Sequence, residues 1–311
     1  MKERARLLTK LLLTHVVLLT GLVLSSFLIR RGTLLILPLA QCFLLILLLA
    51  GYWEFFASSF RWVYLGINEL LILLSFMIRM SSGHDGPPGI FGITAWAPLQ
   101  LFLLFLLYRI IRVIYEKETG AIEIQFPFRQ GDYRVTDGGN SRLSRLMNYH
   151  YHSVIHRRKN THRSMLYATD VVKIHRRSWI FLPRRNEDYP VFGDSLYSPV
   201  SGSVVKVVNE IADNIPFSGD YPYNTGNTVI LKQDDRYLLL GHLRMGSIRV
   251  REGDMVEAGE YLGEAGNSGM SERPHLHMQM MRSESGDYWK GEGVCIRYSG
   301  KNLYKNRLIR V

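Results

Sequence analysis

The residues best suited to chemistry lie in the run Arg273-Pro274-His275-Leu276-His277-Met278, near the C-terminus. In a β-strand successive side chains alternate faces, so His275 and His277 leave from the same side, one pleat apart. Two imidazoles presented that way suit a metal: one can ligate while the other faces water or substrate at the metal. A His-x-His triplet alone equally describes two hydrogen-bonded strand histidines. Its meaning therefore rests on the elements that carry it.

From about Gly120 onward the chain reads as short β-forming runs punctuated by glycine. Ala121–Phe126, Ser203–Val208, Thr228–Lys232, Tyr237–Leu240, Ser247–Val250, Tyr261–Leu262 and Leu276–Met280 alternate or are rich in β-formers. Gly226-Asn227, Gly253-Asp254 and Ser268-Gly269 mark turns. The pattern predicts a mainly antiparallel β domain, with loops from 130 to 200 covering a core of strands.

The first 115 residues are of another kind. They carry ten Lys/Arg against four Asp/Glu and are dominated by Leu and Ile, whereas residues 116–311 hold 28 basic and 23 acidic residues. Four apolar runs, Leu11–Ile29, Thr33–Tyr52, Trp62–Ile78 and Ile90–Tyr108, approach the roughly 20 residues that a bilayer requires. The first follows Lys2, Arg4, Arg6 and Lys10 without a small-residue cleavage pattern, which predicts a retained span. A transmembrane helical region at 1–115, with three to four spans, thus precedes a β domain at 116–311. His15, Asn68 and Glu69 fall within spans and are expected to face neighbouring helices.

The net charge of +11 is shared by the two halves. That balance favours an anionic lipid surface or polymer, and no base-reading motif points to nucleic acid. Cys42 and Cys295 lie in different halves and form no CxxC motif, so neither a disulfide nor a cysteine metal site is expected. The sequence sets no oligomeric state.

Three blocks, in order, resemble the lysostaphin-type (LytM-like) zinc endopeptidases. The first is Tyr197-Ser198-Pro199-Val200-Ser201-Gly202-Ser203-Val204-Val205. The second is Gly226-Asn227-Thr228-Val229-Ile230, leading to Gly241-His242-Leu243. The third runs from Gly253 through Gly266-Asn267-Ser268-Gly269 to Pro274-His275-Leu276-His277. The resemblance covers roughly residues 150–285. It implies a barrel-sandwich β fold and Zn²⁺ as cofactor, with His277 as a ligand and His242 and His275 as the catalytic, non-ligand histidines. It also implies peptide substrates from bacterial cell-wall peptidoglycan.

The family's compact His-x-x-x-Asp pair is absent. Asp194 has Pro190, not a histidine, four residues before it. Tyr167-Ala168-Thr169-Asp170-Val171-Val172 resembles the ligand strand of longer-looped relatives and makes Asp170 the expected carboxylate. Its partner comes from His150, in the context Gly138-Gly139…Asn148-Tyr149-His150, in preference to His162. His152 and His156 are read as loop residues. The stretch Val250–Gly263 also has the glycine spacing of lipoyl and biotinyl carriers, but lacks their hairpin-tip lysine.

Some relatives of this fold have lost ligands and act as binding modules, so a non-catalytic scaffold that binds wall or regulates another hydrolase is the alternative. The full donor set favours an enzyme. Orientation pulls against it. With four spans the N-terminal side carries most of the basic residues, and the positive-inside rule places both termini in the cytoplasm. A wall hydrolase must face outward, so three true spans are expected, with Trp62–Ile78 the weakest, and an extracytoplasmic C-terminal domain.

Overall fold

A computed structural model describes residues 2–28, 33–82, 90–150, 163–175, 182–219, 221–222 and 224–311. They form two compact units, one built from helices up to Arg112 and one from Val113 onward.

The helical unit contains α1 (Lys2–Leu12), a π-helical turn (Leu13–Val17), α2 (Leu18–Leu28), α3 (Thr33–Ala50), α4 (Ser58–Ser82) and the greater part of α5 (Ile90–Tyr115). Contacts follow the same order along the first helix and along α4. The Tyr64 hydroxyl meets the Val16 carbonyl and Thr20 Oγ1, both at 3.1 Å. Further along, Ser26 Oγ donates to Ser75 Oγ at 2.8 Å and Arg79 Nη2 to the Phe27 carbonyl at 3.1 Å. The two helices are therefore parallel, and α3 returns between them. At its end the Tyr52 N–H donates to His15 Nε2 at 2.8 Å, which gives His15 a packing role.

Among the described residues three helices are long and apolar enough to cross a membrane: Arg4–Leu28, Ser59–Ser81 and Trp96–Tyr115. They fall in the first, third and fourth apolar runs. Trp62–Ile78 lies inside the 25-residue α4. Asn68 is buried there, and its side-chain amide nitrogen donates to the Tyr64 carbonyl one turn back. The Thr33–Tyr52 run forms the 18-residue α3, with Pro38 inside it. Trp62, Leu70 and Met77 of α4 and Leu101, Phe102 and Phe105 of α5 are more than half exposed.

The second unit is the expected β domain. Its strands are β1 (Ile122–Glu123), β2 (Asp132–Asp137), β3 (Thr169–Lys173), β4 (Ser195–Tyr197), β5 (Gly202–Val208), β6 (Asn227–Gln233), β7 (Arg236–Leu243), β8 (Met255–Val256), β9 (Tyr261–Glu264), β10 (Leu276–Arg282), β11 (Glu292–Val294), β12 (Ile296–Tyr298), β13 (Lys301–Asn302) and β14 (Leu308–Arg310). The main sheet runs β14-β2-β3-β10-β7-β6-β5-β8, with β11 also on β10, and every pairing in it is antiparallel. Small sheets β1-β12-β13 and β4-β9 complete it.

The core alternates as strand geometry demands. Leu276, Met278 and Met280 of β10 pack with Leu238 and Leu240 of β7 and Val229 and Leu231 of β6. The intervening residues His277 and Gln279 therefore point to the opposite face.

Segment 130–200 is not only loop, since it contributes β2, β3 and β4. β2 (Asp-Tyr-Arg-Val-Thr-Asp) looks too polar for a strand, yet its middle four residues are buried. It lies between β14 and β3, and Arg134 is satisfied by Asn306 Oδ1 at 3.3 Å. Ser247–Val250, by contrast, forms no strand. The C-terminal tail is structural: β11 extends the sheet on β10, and β14 closes its edge on β2.

Candidate metal centre

Strand register assembles the site. β3 pairs with β10 over three residues, placing Asp170 directly across from His277. Facing residues in an antiparallel pair have Cβ atoms about 5 Å apart, close enough for a carboxylate to meet an imidazole. Asp170 Oδ1 lies 2.9 Å from His277 Nδ1, and Asp170 Oδ2 lies 3.2 Å from His150 Nε2. Donor atoms of His150, Asp170 and His277 all lie within 4.8 Å of one another. Tetrahedral zinc with ligands at about 2.0–2.1 Å separates neighbouring donors by about 3.3 Å, so this set needs little adjustment. Two imidazoles and one carboxylate are a zinc-type donor set; calcium or magnesium would call for more oxygen ligands.

His242 and His275 stand beside these three. The His242 ring centroid is 4.8 Å from that of His275 and 5.6 Å from that of His277. His275 Nε2 is 3.6 Å from Asp170 Oδ2. His275 precedes β10 and His277 lies within it, and both turn toward Asp170, as the His-x-His alternation requires. His242 has φ of +62°, sparsely populated by any residue other than glycine. It sits near the irregularity in the β6–β7 register between Asn227 and Val229, and its N–H donates to the Thr225 carbonyl at 2.8 Å. Such strain is retained where surrounding structure enforces it, often at functional positions.

Each of the four histidines has one nitrogen committed outward. His242 Nδ1 is 2.8 Å from the Ser268 carbonyl, and His275 Nδ1 is 2.8 Å from the Arg273 carbonyl. A carbonyl only accepts, so in both rings Nδ1 carries the proton and Nε2 is left bare. His150 Nδ1 faces Asn148 Oδ1 at 2.8 Å, and His277 Nε2 faces Gln279 Oε1 at 3.4 Å. This is how ligand imidazoles are oriented: the outer N–H is held and the inner nitrogen points at the metal.

The electrostatics separate the two groups. Burial alone would lower the His150 pKa, but the Asp170 carboxylate overrides it and raises the imidazole above its usual range. Burial likewise works against ionised Asp170, yet His150 and His275 hold it well below the usual carboxylate range. Burial, aided by His275 and His277, keeps His242 well below the ordinary imidazole value, and burial also lowers His275 against the pull of Asp170. Both shifts favour the neutral ring, in which Nδ1–H faces a carbonyl and Nε2 is unprotonated.

The structure thus gathers His150, Asp170, His277, His242 and His275 in one place. His152, His156 and His162 lie outside the described residues. Asp194 belongs to a separate ion pair: its carboxylate takes Lys173 Nζ at 2.9 and 3.0 Å and the Tyr133 hydroxyl. The supporting residues Asn148, Ser268 and Gln279, and Ser271, whose Oγ lies 3.1 Å from His275 Nδ1, have no role predicted from the sequence. Gln279 had a usable signal, two residues beyond His277 on the same strand face; the Ser268 and Arg273 carbonyls had none.

Residues 188–289 match peptidase family M23. Over 80 residues the chain is 31% identical to glycyl-glycine endopeptidase ALE-1 of Staphylococcus capitis, covering 26% of this chain and 22% of that protein. It is 32% identical to lysostaphin of Staphylococcus simulans over 80 residues, covering 26% of this chain and 16% of lysostaphin. The match therefore spans less than a quarter of either relative. Among solved structures, the catalytic domain of S. simulans lysostaphin is 24% identical over 41% of this chain and 74% of that one, with a TM-score of 0.27. A zinc-containing peptidase from Vibrio cholerae is 19% identical over 56% of this chain and 39% of that one, with a TM-score of 0.33.

Proposed function

With a peptidase family M23 domain at residues 188–289 as the premise, we propose that this protein is a membrane-anchored zinc metalloendopeptidase. It hydrolyses peptide bonds in bacterial cell-wall peptidoglycan. The observation that carries the reading is the convergence of His150, Asp170 and His277 beside two neutral histidines. His150, Asp170 and His277 would hold the metal.

When bound there, zinc supplies Lewis-acid polarisation and acidifies water toward a pKa of about 7. The chain's own groups then handle protons. His242 and His275 each present a bare Nε2, so either accepts the proton of the attacking water. The imidazolium formed donates a hydrogen bond to the tetrahedral oxyanion and returns the proton to the leaving amine. The Ser268 and Arg273 carbonyls hold Nδ1–H throughout, so neither ring has to turn over between steps. The peptidoglycan substrate is inferred from the lysostaphin and ALE-1 relatives. A non-catalytic binding module is disfavoured because no ligand type is missing.

The test is zinc content and peptide release from peptidoglycan for the full chain in detergent, beside Asp170→Ala and His277→Ala. Near-stoichiometric zinc and activity, both lost in the variants, support the enzyme. A well-folded wild type without zinc moves the reading to the binding module.

The wall substrate also requires residue 116 to face outward. If the parallel helices α1–α2 and α4 both cross the bilayer, α3 must cross back between them. With α5 that makes four crossings, and the N-terminus then lies outside too, against its basic residues. Reporter fusions at residue 116 decide the point. A cytoplasmic reporter overturns the wall substrate and leaves the peptidase chemistry standing.

A further inference from the structure

We propose that Asn148 is the positioning residue of the metal centre, fixing His150 and tying the loop that carries it to the strand that carries Asp170. The inference rests on His150 being a metal ligand, as proposed above.

Asn148 is completely buried. Its amide nitrogen donates to the Gly139 carbonyl at 2.7 Å and to the Ala168 carbonyl at 2.9 Å. With both N–H groups aimed at carbonyls, the other end of the amide must be the oxygen. That oxygen accepts the His150 ring Nδ1–H at 2.8 Å and the His150 backbone N–H at 3.2 Å. One side chain thereby satisfies both donors and uses its acceptor twice. Leaving a buried amide half-bonded is unfavourable, so the geometry is tightly determined.

The direction of these bonds gives them functional content. Ala168 immediately precedes β3, two residues before Asp170. Gly139 lies two residues beyond the end of β2. Asn148 therefore spans the gap between the strand bearing the carboxylate and the loop bearing the first histidine. With Nδ1 of His150 committed as a donor, Nε2 is the only ring nitrogen available to a metal, and it faces Asp170 Oδ2. Asp137 adds a second hold on the same loop, its Oδ1 accepting the Tyr149 N–H at 3.1 Å. Asn148 lies outside the family-matched residues 188–289, so the device belongs to the part of the chain that delivers His150 and Asp170.

The experiment measures zinc affinity, by competition with a chromophoric chelator, for the full chain in detergent. Thermal unfolding in the presence of chelator serves as the parallel readout. Asn148→Leu removes both halves of the amide; Asn148→Asp keeps an acceptor for His150 Nδ1 and loses the two donors. Loss of an outer-shell partner of this kind weakens metal binding about 10–100-fold, and this is the expectation for Asn148→Leu. Asn148→Asp is expected to bind zinc about tenfold more tightly than Asn148→Leu at a comparable metal-free melting temperature, because its acceptor still orients the ring. If the leucine variant does not fold, Asn148→Ser takes its place, being too short to reach the ring. Equal zinc affinity in the aspartate and leucine (or serine) variants, with equal loss of stability, reduces Asn148 to a loop clamp and overturns the proposal. Wild-type affinity in every variant overturns it too. A wild type that binds no zinc overturns the metal-centre reading together with this one, so the two failures are distinguishable.

Discussion

Replacing Gly226 with alanine should damage catalysis while sparing the metal. Gly226 has φ of +68°, and a Cβ there would lie 2.4 Å from the Ser268 carbonyl oxygen and 2.5 Å from its carbon. Both are backbone atoms, so relief requires Ser268 to retreat by about 1 Å to reach ordinary contact distance. The left-handed conformation costs alanine about 1–2 kcal/mol, and forced overpacking adds about 1–3 kcal/mol, giving about 2–5 kcal/mol. At roughly 2–4 °C per kcal/mol for a unit of this size, the melting temperature should fall by about 4–20 °C. The Ser268 carbonyl holds His242 Nδ1 at 2.8 Å, so its displacement unseats the imidazole proposed above to be catalytic. A misplacement of about 1 Å costs about 100-fold in rate. Gly246 supplies the control: its φ is +72°, but a Cβ there would meet nothing within 4 Å. Gly246→Ala should lose about 1–2 kcal/mol from conformation alone and keep its turnover. The assay is differential scanning of both variants alongside zinc content and peptide release. Equal melting temperatures and equal turnover for the two variants would refute the argument that Ser268 couples this turn to His242.

Two further outcomes follow from the site. His242→Ala and His275→Ala should each lower turnover about 100- to 10,000-fold, the usual worth of a general acid–base group, with zinc content unchanged; loss of zinc in either would make that residue a ligand. The raised pKa of His150 sets the pH dependence of metal uptake. The metal must displace a proton that His150 retains to higher pH than usual, while Asp170, held low, does not compete near neutrality. Apparent zinc affinity should therefore fall as pH drops through the raised pKa, by about tenfold per pH unit for one competing proton. Competition titrations giving a flat profile from about pH 5 to 8 would remove His150 from the donor set.

The histidines were legible because strand alternation makes His-x-His a geometric statement. His275 and His277 had to share a face, with Leu276 between them and Met278 after them entering the core. Asp170 was reachable only through the resemblance of its strand, since nothing local says which residue will lie opposite His277. β2 was missed because its charges, Asp132, Arg134 and Asp137, look like loop, whereas partners distant in sequence satisfy them: Arg310 for Asp132 and Asn306 for Arg134. A polar residue inside α4 is a related case. Asn68 lowers the hydropathy of its run, yet its amide nitrogen donates to the helix's own backbone and the helix continues through it. In β2 the polar side chains read as loop because their partners lie far away in sequence.

The site depends on a register more than on a motif. The family-matched residues 188–289 contain His242, His275 and His277, but not His150 or Asp170. These last two arrive through a three-residue pairing, Leu276 with Val171, His277 with Asp170 and Met278 with Thr169. A slip of one residue in that pairing would turn Asp170 to the core face and bring Val171 or Thr169 opposite His277. Several contacts oppose the slip. Val171 is fully buried in the core, Asn148 bonds the Ala168 carbonyl just before the strand, and β2 pairs along the other edge of β3, with its irregularity falling where Asp137 meets Asp170. The bulge lets Asp137 stand beside Asp170 while its carboxylate turns to the Tyr149 N–H. Two carboxylates from adjacent strands are thereby divided between the metal centre and the loop that feeds it.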